Sequence, residues 1–216
     1  MKKHVIAALL LGATALPLLQ GCVPVIAAGA TAGALSAFDR RSLGTQTEDE
    51  TIEWKSSARV GEKLGDKVHI NFTSFNRKVL LTGEVPSAED KAEAERIVSG
   101  VNNVQGVYNE LTVGPVSSFS DRSNDSFITS KVKSRMVDSG KFNPVHVKVV
   151  TEAGVVFLLG MVTQPEADSA IGVARTTSGV KKVVNLLEII TPARARELDI
   201  TQSNSSKPAP AETKTP

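Results

Sequence analysis

Few side chains in this chain are able to do covalent or metal chemistry. The 216 residues include one cysteine, Cys22, and three histidines. A lone thiol excludes both a disulfide framework and a Cys-based metal cluster. His69 and His146 are read as equivalent outward positions on two strands. Neither has an H-E-x-x-H spacing or a Cys/His neighbour, so no metal site is expected. There is no phosphate-binding Gly-rich loop with its Lys and no G-x-S-x-G elbow. The sequence therefore predicts neither enzyme nor cofactor, and points to the chemistry of contact.

One helix carries such a contact. Residues following Asp125 turn by about 100° each on a helical wheel. Ile128, Val132 and Met136 form one apolar stripe, which must face a core. Phe127 falls on the far side, beside Lys131, Ser134 and Asp138 and flanked by Ser130 and Val137, with Lys133 and Arg135 in reach. An aromatic turned away from its core and set among cations resembles an interfacial anchor. Stapling the helix start, or packing on a neighbouring module, is the alternative. Trp54, the sole tryptophan, also lies off the core stripe of its helix. It suits either packing between domains or a partner surface.

Charge gives these helices different surroundings. The chain has a formal charge of +2, and without Lys2 and Lys3 its charges balance, which excludes a nucleic-acid-coating protein. The neutral total hides an asymmetry. Residues 46–113 hold 8 Lys/Arg against 12 Asp/Glu, while residues 124–192 hold 8 against 6. An anionic bilayer should repel the first segment and attract the second.

Cys22 has its own context. Lys2 and Lys3 precede an apolar run from Val5 to Leu19, ending in Leu19-Gln20-Gly21-Cys22. A run this short, with a small-residue junction, reads as a cleaved signal segment over 1–21. Its ending resembles the lipobox of bacterial lipoproteins, in which the cysteine is lipidated and becomes the first mature residue. The only cofactor-like group expected is that covalent lipid on Cys22. By the same resemblance, Val23 in place of Asp favours the outer membrane. Residues 22–45 are then lipidated cysteine and tether. The polar, Pro-containing residues 193–216 are expected to be disordered.

The elements that position these residues are written twice. Asp49-x-x-Ile52-x-x-Lys55-x-x-x-Arg59-Val60 recurs as Asp125-x-x-Ile128-x-x-Lys131-x-x-x-Arg135-Met136. Val68-His69-Ile70 recurs as Val145-His146-Val147, and Val79-x-Leu81-x-Gly83-x-Val85 as Val156-x-Leu158-x-Gly160-x-Val162. Val104-x-x-Val107-x-Asn109-x-Leu111 recurs as Val180-x-x-Val183-x-Asn185-x-Leu187. Four blocks in one order at nearly one displacement make a duplication. Helical spacing opens each copy, two alternating and half-buried strands follow, and a second helix and a last strand close it. Ala92, Ile97 and Val98 are expected on the inner face of the first copy's second helix. The last strands run from about Gly106 to Val113 and from Lys181 to Ile190. Gly83 and Gly160 are read as allowing close helix–strand packing. The fold class is thus α+β, with modules over 46–113 and 124–192 joined by a linker at 114–123. Each is α-β-β-α-β, with two helices on one face of a small three-stranded sheet. Modules of about 70 residues have marginal cores, so the two should pack together.

The helix motif, the Gly-centred strand and the closing V-x-x-V-x-N-x-L resemble the BON domain. Two such domains behind a lipobox, entered through Asp39-Arg40-Arg41-Ser42-Leu43-Gly44-Thr45-Gln46, resemble the dual BON-domain outer-membrane lipoproteins over about residues 39–192. The resemblance implies a periplasm-facing protein that binds anionic phospholipid, such as phosphatidylglycerol or cardiolipin, and supports envelope integrity at division sites. It places lipid binding on the first helix of the second domain, here Phe127, Ser130, Lys131, Ser134, Arg135, Val137 and Asp138. A monomer is expected. The alternative is a periplasmic protein–protein adaptor for envelope assembly or cell-wall remodelling, working through Trp54 and the acidic stretch Glu89–Glu95.

Overall fold

A computed structural model describes residues 39–205. Cys22 and its surroundings, the tether before Asp39, and residues 206–216 lie outside the described span. Helix α1, Leu43–Leu64, begins where the Ser42 hydroxyl accepts from the Thr45 N–H at 3.1 Å, and stops at Gly65 with φ 65°. Its buried residues, Asp49, Ile52, Ser56, Val60 and Leu64, follow helical spacing. A short 3₁₀ turn, Gly65–Lys67, leads into strand β1, His69–Phe75, and then β2, Lys78–Val85. The hairpin turns on Asn76 and Arg77, whose φ values of 50° and 63° match the right-handed twist of the strands. Helix α2, Ala88–Ser99, is capped by Ser87. The first module closes with β3, Gly106–Asn109, and β4, Thr112–Val113, both parallel to β2.

The second module repeats the plan. Its elements are α3 (Phe119–Ser139), a 3₁₀ turn (Pro144–His146), β5 (Val147–Glu152), β6 (Val155–Val162), α4 (Gln164–Arg175) and β7 (Lys182–Ile189). The sheet orders are β1-β2-β3, with β4 also on β2, and β5-β6-β7. The closing strand, continuous in the second copy, is broken in the first at Glu110 and Leu111.

In both copies a buried aspartate ties the first helix to the hairpin. Asp49 accepts from the Asn76 and Arg77 N–H groups at 2.8 and 2.7 Å, and Asp125 accepts from Ala153 and Gly154 at 2.8 Å each. This explains why an aspartate heads each repeat.

Each module has its own core between helices and sheet. Ile52, Val60, Val79, Leu81, Val85 and Val98 fill the first, and Ile128, Val132, Met136, Val156, Leu158 and Val162 the second. A third cluster joins the modules: Phe75 and Leu80 pack with Phe157 and Leu159, bordered by Tyr108, Val150, Met161 and Val184. The two sheets thus meet through the faces that carry no helices. This is why β2 is buried on both sides, where alternation predicted a half-buried strand.

Four further expectations are corrected. Helix α3 starts at Phe119, so the linker is shorter than 114–123, and Ser118 with Asp121 forms a capping box there. Residues 192–205 are not disordered but form helix α5, Pro192–Ser205, with Ala195 buried. Ala92 is exposed, and Ala94 takes the inner position with Val98. Gly83 and Gly160 serve strand pairing rather than helix packing. A Cβ there would stand 2.1 Å from the His69 carbonyl oxygen and 2.2 Å from that of His146.

Candidate functional site

The outward face of α3 is the most exposed apolar surface of the second module. Phe127 is 61% exposed and Val137 64%. The early helix start adds Phe119, 79% exposed, on the same broad face two turns before Phe127. Sequence reading missed Phe119 because it fell inside the segment taken for linker. Phe127 lies two turns inside α3 and so does not staple the helix start, and most of its ring is open to solvent. Ser130, Ser134 and Asp138 are exposed between these apolar positions.

The cations beside this face are held in place. Lys131 Nζ lies 4.9 Å from the centroid of the Phe127 ring and also donates to the Ser178 carbonyl. Such a cation–π contact is worth about 0.5–1 kcal/mol at an exposed site. Arg135 Nη1 donates to the Val173 carbonyl at 3.2 Å and to Thr177 Oγ1 at 2.8 Å. Together with Thr176, these residues line a shallow cleft of about 380 Å³ at the C-terminal end of α4. Lys133 is exposed alongside. The arrangement is an amphipathic contact surface.

Trp54 is 71% exposed on α1, which excludes the reading that it packs between the modules of the described fold. It stands at the repeat position of Ser130, so the two modules offer different outward residues at one place in the fold.

A second feature is a buried clamp where the chain enters the fold. Arg40, 4% exposed, donates to Glu166 Oε2 at 2.8 Å and Oε1 at 3.1 Å. It also donates to Asp199 at 2.9 and 3.2 Å and to the Met161 carbonyl at 3.0 Å. The residue preceding the first module is therefore fixed to the second module and to α5. Burial alone would raise the Glu166 carboxyl. Hydrogen bonds from Arg40 and from the Thr163 backbone and hydroxyl outweigh it and hold Glu166 down to about 2.

The histidines are not equivalent outward residues. His146 is 7% exposed in a 3₁₀ turn, and burial, with the nearby Arg40, lowers its pKa. His69 Nδ1 lies 2.9 Å from Glu84 Oε2. Among the described residues, no helix is long and apolar enough to cross a membrane.

Tandem α-β-β-α-β modules of this kind define a class of small repeat proteins, and the family model of the BON domain matches residues 49–115 and 124–191. The chain belongs to the BON-domain family, with two copies. It is 44% identical to the outer membrane lipoprotein DolP of Haemophilus influenzae, covering 85% of this chain and 95% of that protein. It is 34% identical to a 21 kDa hemolysin of Actinobacillus pleuropneumoniae, covering 70% and 79% of the two chains. Identity to osmotically-inducible protein Y of Escherichia coli is 32%, over 68% of this chain and 75% of the relative. None of these three names is that of an enzyme.

Proposed function

We propose that this protein is an outer-membrane lipoprotein, anchored through lipidated Cys22 and facing the periplasm. Its second BON domain contacts anionic phospholipid through the outward face of α3 and supports envelope integrity at division sites. The name and coverage of the Haemophilus relative favour the location. The observation that carries the contact is the exposure of Phe119, Phe127 and Val137 on one helix face beside Lys131 and Lys133.

The magnitudes fit a tethered contact. Each Lys or Arg near an anionic surface contributes about 1 kcal/mol, and each partly inserted Phe about 1–2 kcal/mol. Two of each sum to about 4–6 kcal/mol, which corresponds to roughly millimolar affinity or somewhat better. That is weak for a free protein. An acyl anchor, at about 0.8 kcal/mol per buried CH₂, raises the local lipid concentration until weak contact suffices.

The test uses the chain from residue 22 onward with Cys22→Ser. Its binding to phosphatidylglycerol or cardiolipin vesicles is compared with phosphatidylcholine at low and high salt. Binding should be salt-sensitive, selective for anionic lipid, and weakened about 5–30-fold by Phe127→Glu or Phe119→Glu. Absence of binding at millimolar lipid would sink the lipid contact. The exposed Trp54 favours a second reading, a protein–protein adaptor. In that case Trp54→Ala would abolish capture of an envelope partner while leaving vesicle binding intact.

A further inference from the structure

We propose that His69, Glu84 and Glu152 form a binding site for a divalent transition-metal ion of the zinc type, set across the seam between the two BON domains. His69 and Glu84 are cross-strand partners on β1 and β2 of the first module, and Glu152 ends β5 of the second. One ligand atom from each residue can be chosen so that all three lie within 4.8 Å of one another. A modest contraction would put all three in reach of one ion at about 2.0–2.2 Å.

The surroundings ask for a cation. Glu84 is 7% exposed and Glu152 8%, and the described ion pairs give neither of them a Lys or Arg. Asn71 Nδ2 donates to Glu152 at 2.9 Å, and the Ser117 N–H donates to Glu84 at 3.1 Å. Neither donor carries charge. Two buried carboxylates this close, with His69 beside Glu84 at 2.9 Å, repel one another, and a cation between them would relieve that repulsion. The Thr82 hydroxyl, buried on the same face of β2, lies against Glu152 but lacks a well-aligned hydrogen-bond partner.

An entry path is present. A cleft of about 330 Å³ is lined by His69, Asn71, Glu152, Arg122 and Asp125 among others. Arg122 is engaged with the Ser117 carbonyl, to which it donates. One imidazole nitrogen and two carboxylate oxygens suit zinc, with water completing the shell. Calcium and magnesium prefer oxygen alone. On binding, the ion would replace the hydrogen bond between His69 and Glu84, and any proton on a ligand would leave to solvent. The site has no twin, since the repeat position of Glu84 is Met161 and His146 is turned toward Asp199. Sequence spacing could not reveal it, because its ligands come from three strands and both modules.

The chain from residue 22 onward, with Cys22→Ser so that no thiol competes, is titrated with Zn²⁺ by calorimetry. One equivalent should bind with micromolar or tighter affinity and raise the unfolding temperature by mass action. His69→Ala and Glu152→Gln should each weaken binding about 10-fold or more. On the otherwise unaltered protein, the His69 ring signals should shift at saturating Zn²⁺, a readout that does not depend on a variant folding. No saturable binding, binding unchanged by both substitutions, or an unmoved His69 ring overturns the proposal.

Discussion

Arg40→Ala should destabilise the fold by several kcal/mol, and the structure gives the size in two ways. Arg40 is 4% exposed and supplies five hydrogen bonds to Glu166, Asp199 and the Met161 carbonyl. Removing one partner of a buried ion pair costs about 3–5 kcal/mol. The Asp199 arm, 42% exposed, is screened by solvent and places the sum toward the lower end. The second route is the Glu166 carboxyl, held at about 2 against an ordinary 4.5. At about 1.4 kcal/mol per unit this is roughly 3 kcal/mol, shared between Arg40 and the Thr163 donors. Both routes meet near 2–4 kcal/mol, or a fall in Tm of about 5–15 °C for a fold of this size.

The sign of the pH dependence follows. Glu166 has a folded pKa below its unfolded value, so its stabilisation is complete above about pH 4.5 and is lost as pH falls toward about 2. Arg40→Ala should flatten that acid limb. Urea midpoints measured from neutral pH down to about pH 2 would show it, and amide exchange should rise in α5, which Arg40 reaches through Asp199. Arg40→Lys should recover only part, because an ammonium cannot fork onto a carboxylate. An unchanged neutral midpoint with unchanged exchange in α5 would refute the clamp.

Other outcomes rest on separate parts of the fold. Leu80→Ala empties a fully buried position between the sheets and should cost about 2–5 kcal/mol by denaturant unfolding, although Leu80 lies outside both module cores. Gly160→Ala drives a Cβ to 2.2 Å from the His146 carbonyl oxygen, so β5 and β6 must separate locally, at about 1–3 kcal/mol. A thermal midpoint equal to the parent's would contradict that close approach. His146 has a folded pKa below its ordinary 6.5, from burial first and Arg40 second. Its contribution is therefore full above about pH 6.5 and is lost as pH falls toward the folded value. His146→Gln should remove that part of the pH profile.

Duplication made the modules legible, because two copies of one sequence pattern expose each element twice. What the pattern could not convey was contact between copies. Leu80, Phe157 and Leu159 occupy the alternate strand positions, and their apolar character was the available signal for a second buried face. The tail misled for a related reason. Helix α5 has little apolar surface, and its polar side chains tie it down, with Asp199 meeting Arg40 and Gln202 donating to the Arg41 carbonyl. Composition cannot anticipate a helix whose partners lie 159 and 161 residues away. On α3 the helical wheel put Phe127 and Val137 on the side away from the core, where they are exposed. It lost Phe119 because Pro115 and the serines after it read as linker, although Ser118 and Asp121 spell a capping box.

The clamp also bears on how a lipid anchor at Cys22 would act. The chain enters the fold at Glu166 of the second module before it forms the first module's helix. Pull on the tether would thus be borne by the domain whose charge balance is positive, and the acidic first domain would be carried on the shared sheet interface. Were Cys22 lipidated as proposed, the chain from Cys22 to Asp39 could span at most about 60 Å, which would bound the distance between the fold and the bilayer. Orientation then needs no strong lipid affinity. At an anionic surface, repulsion of the acidic module and attraction of the basic one would act in the same direction, and both would weaken as salt shortens the range of the field.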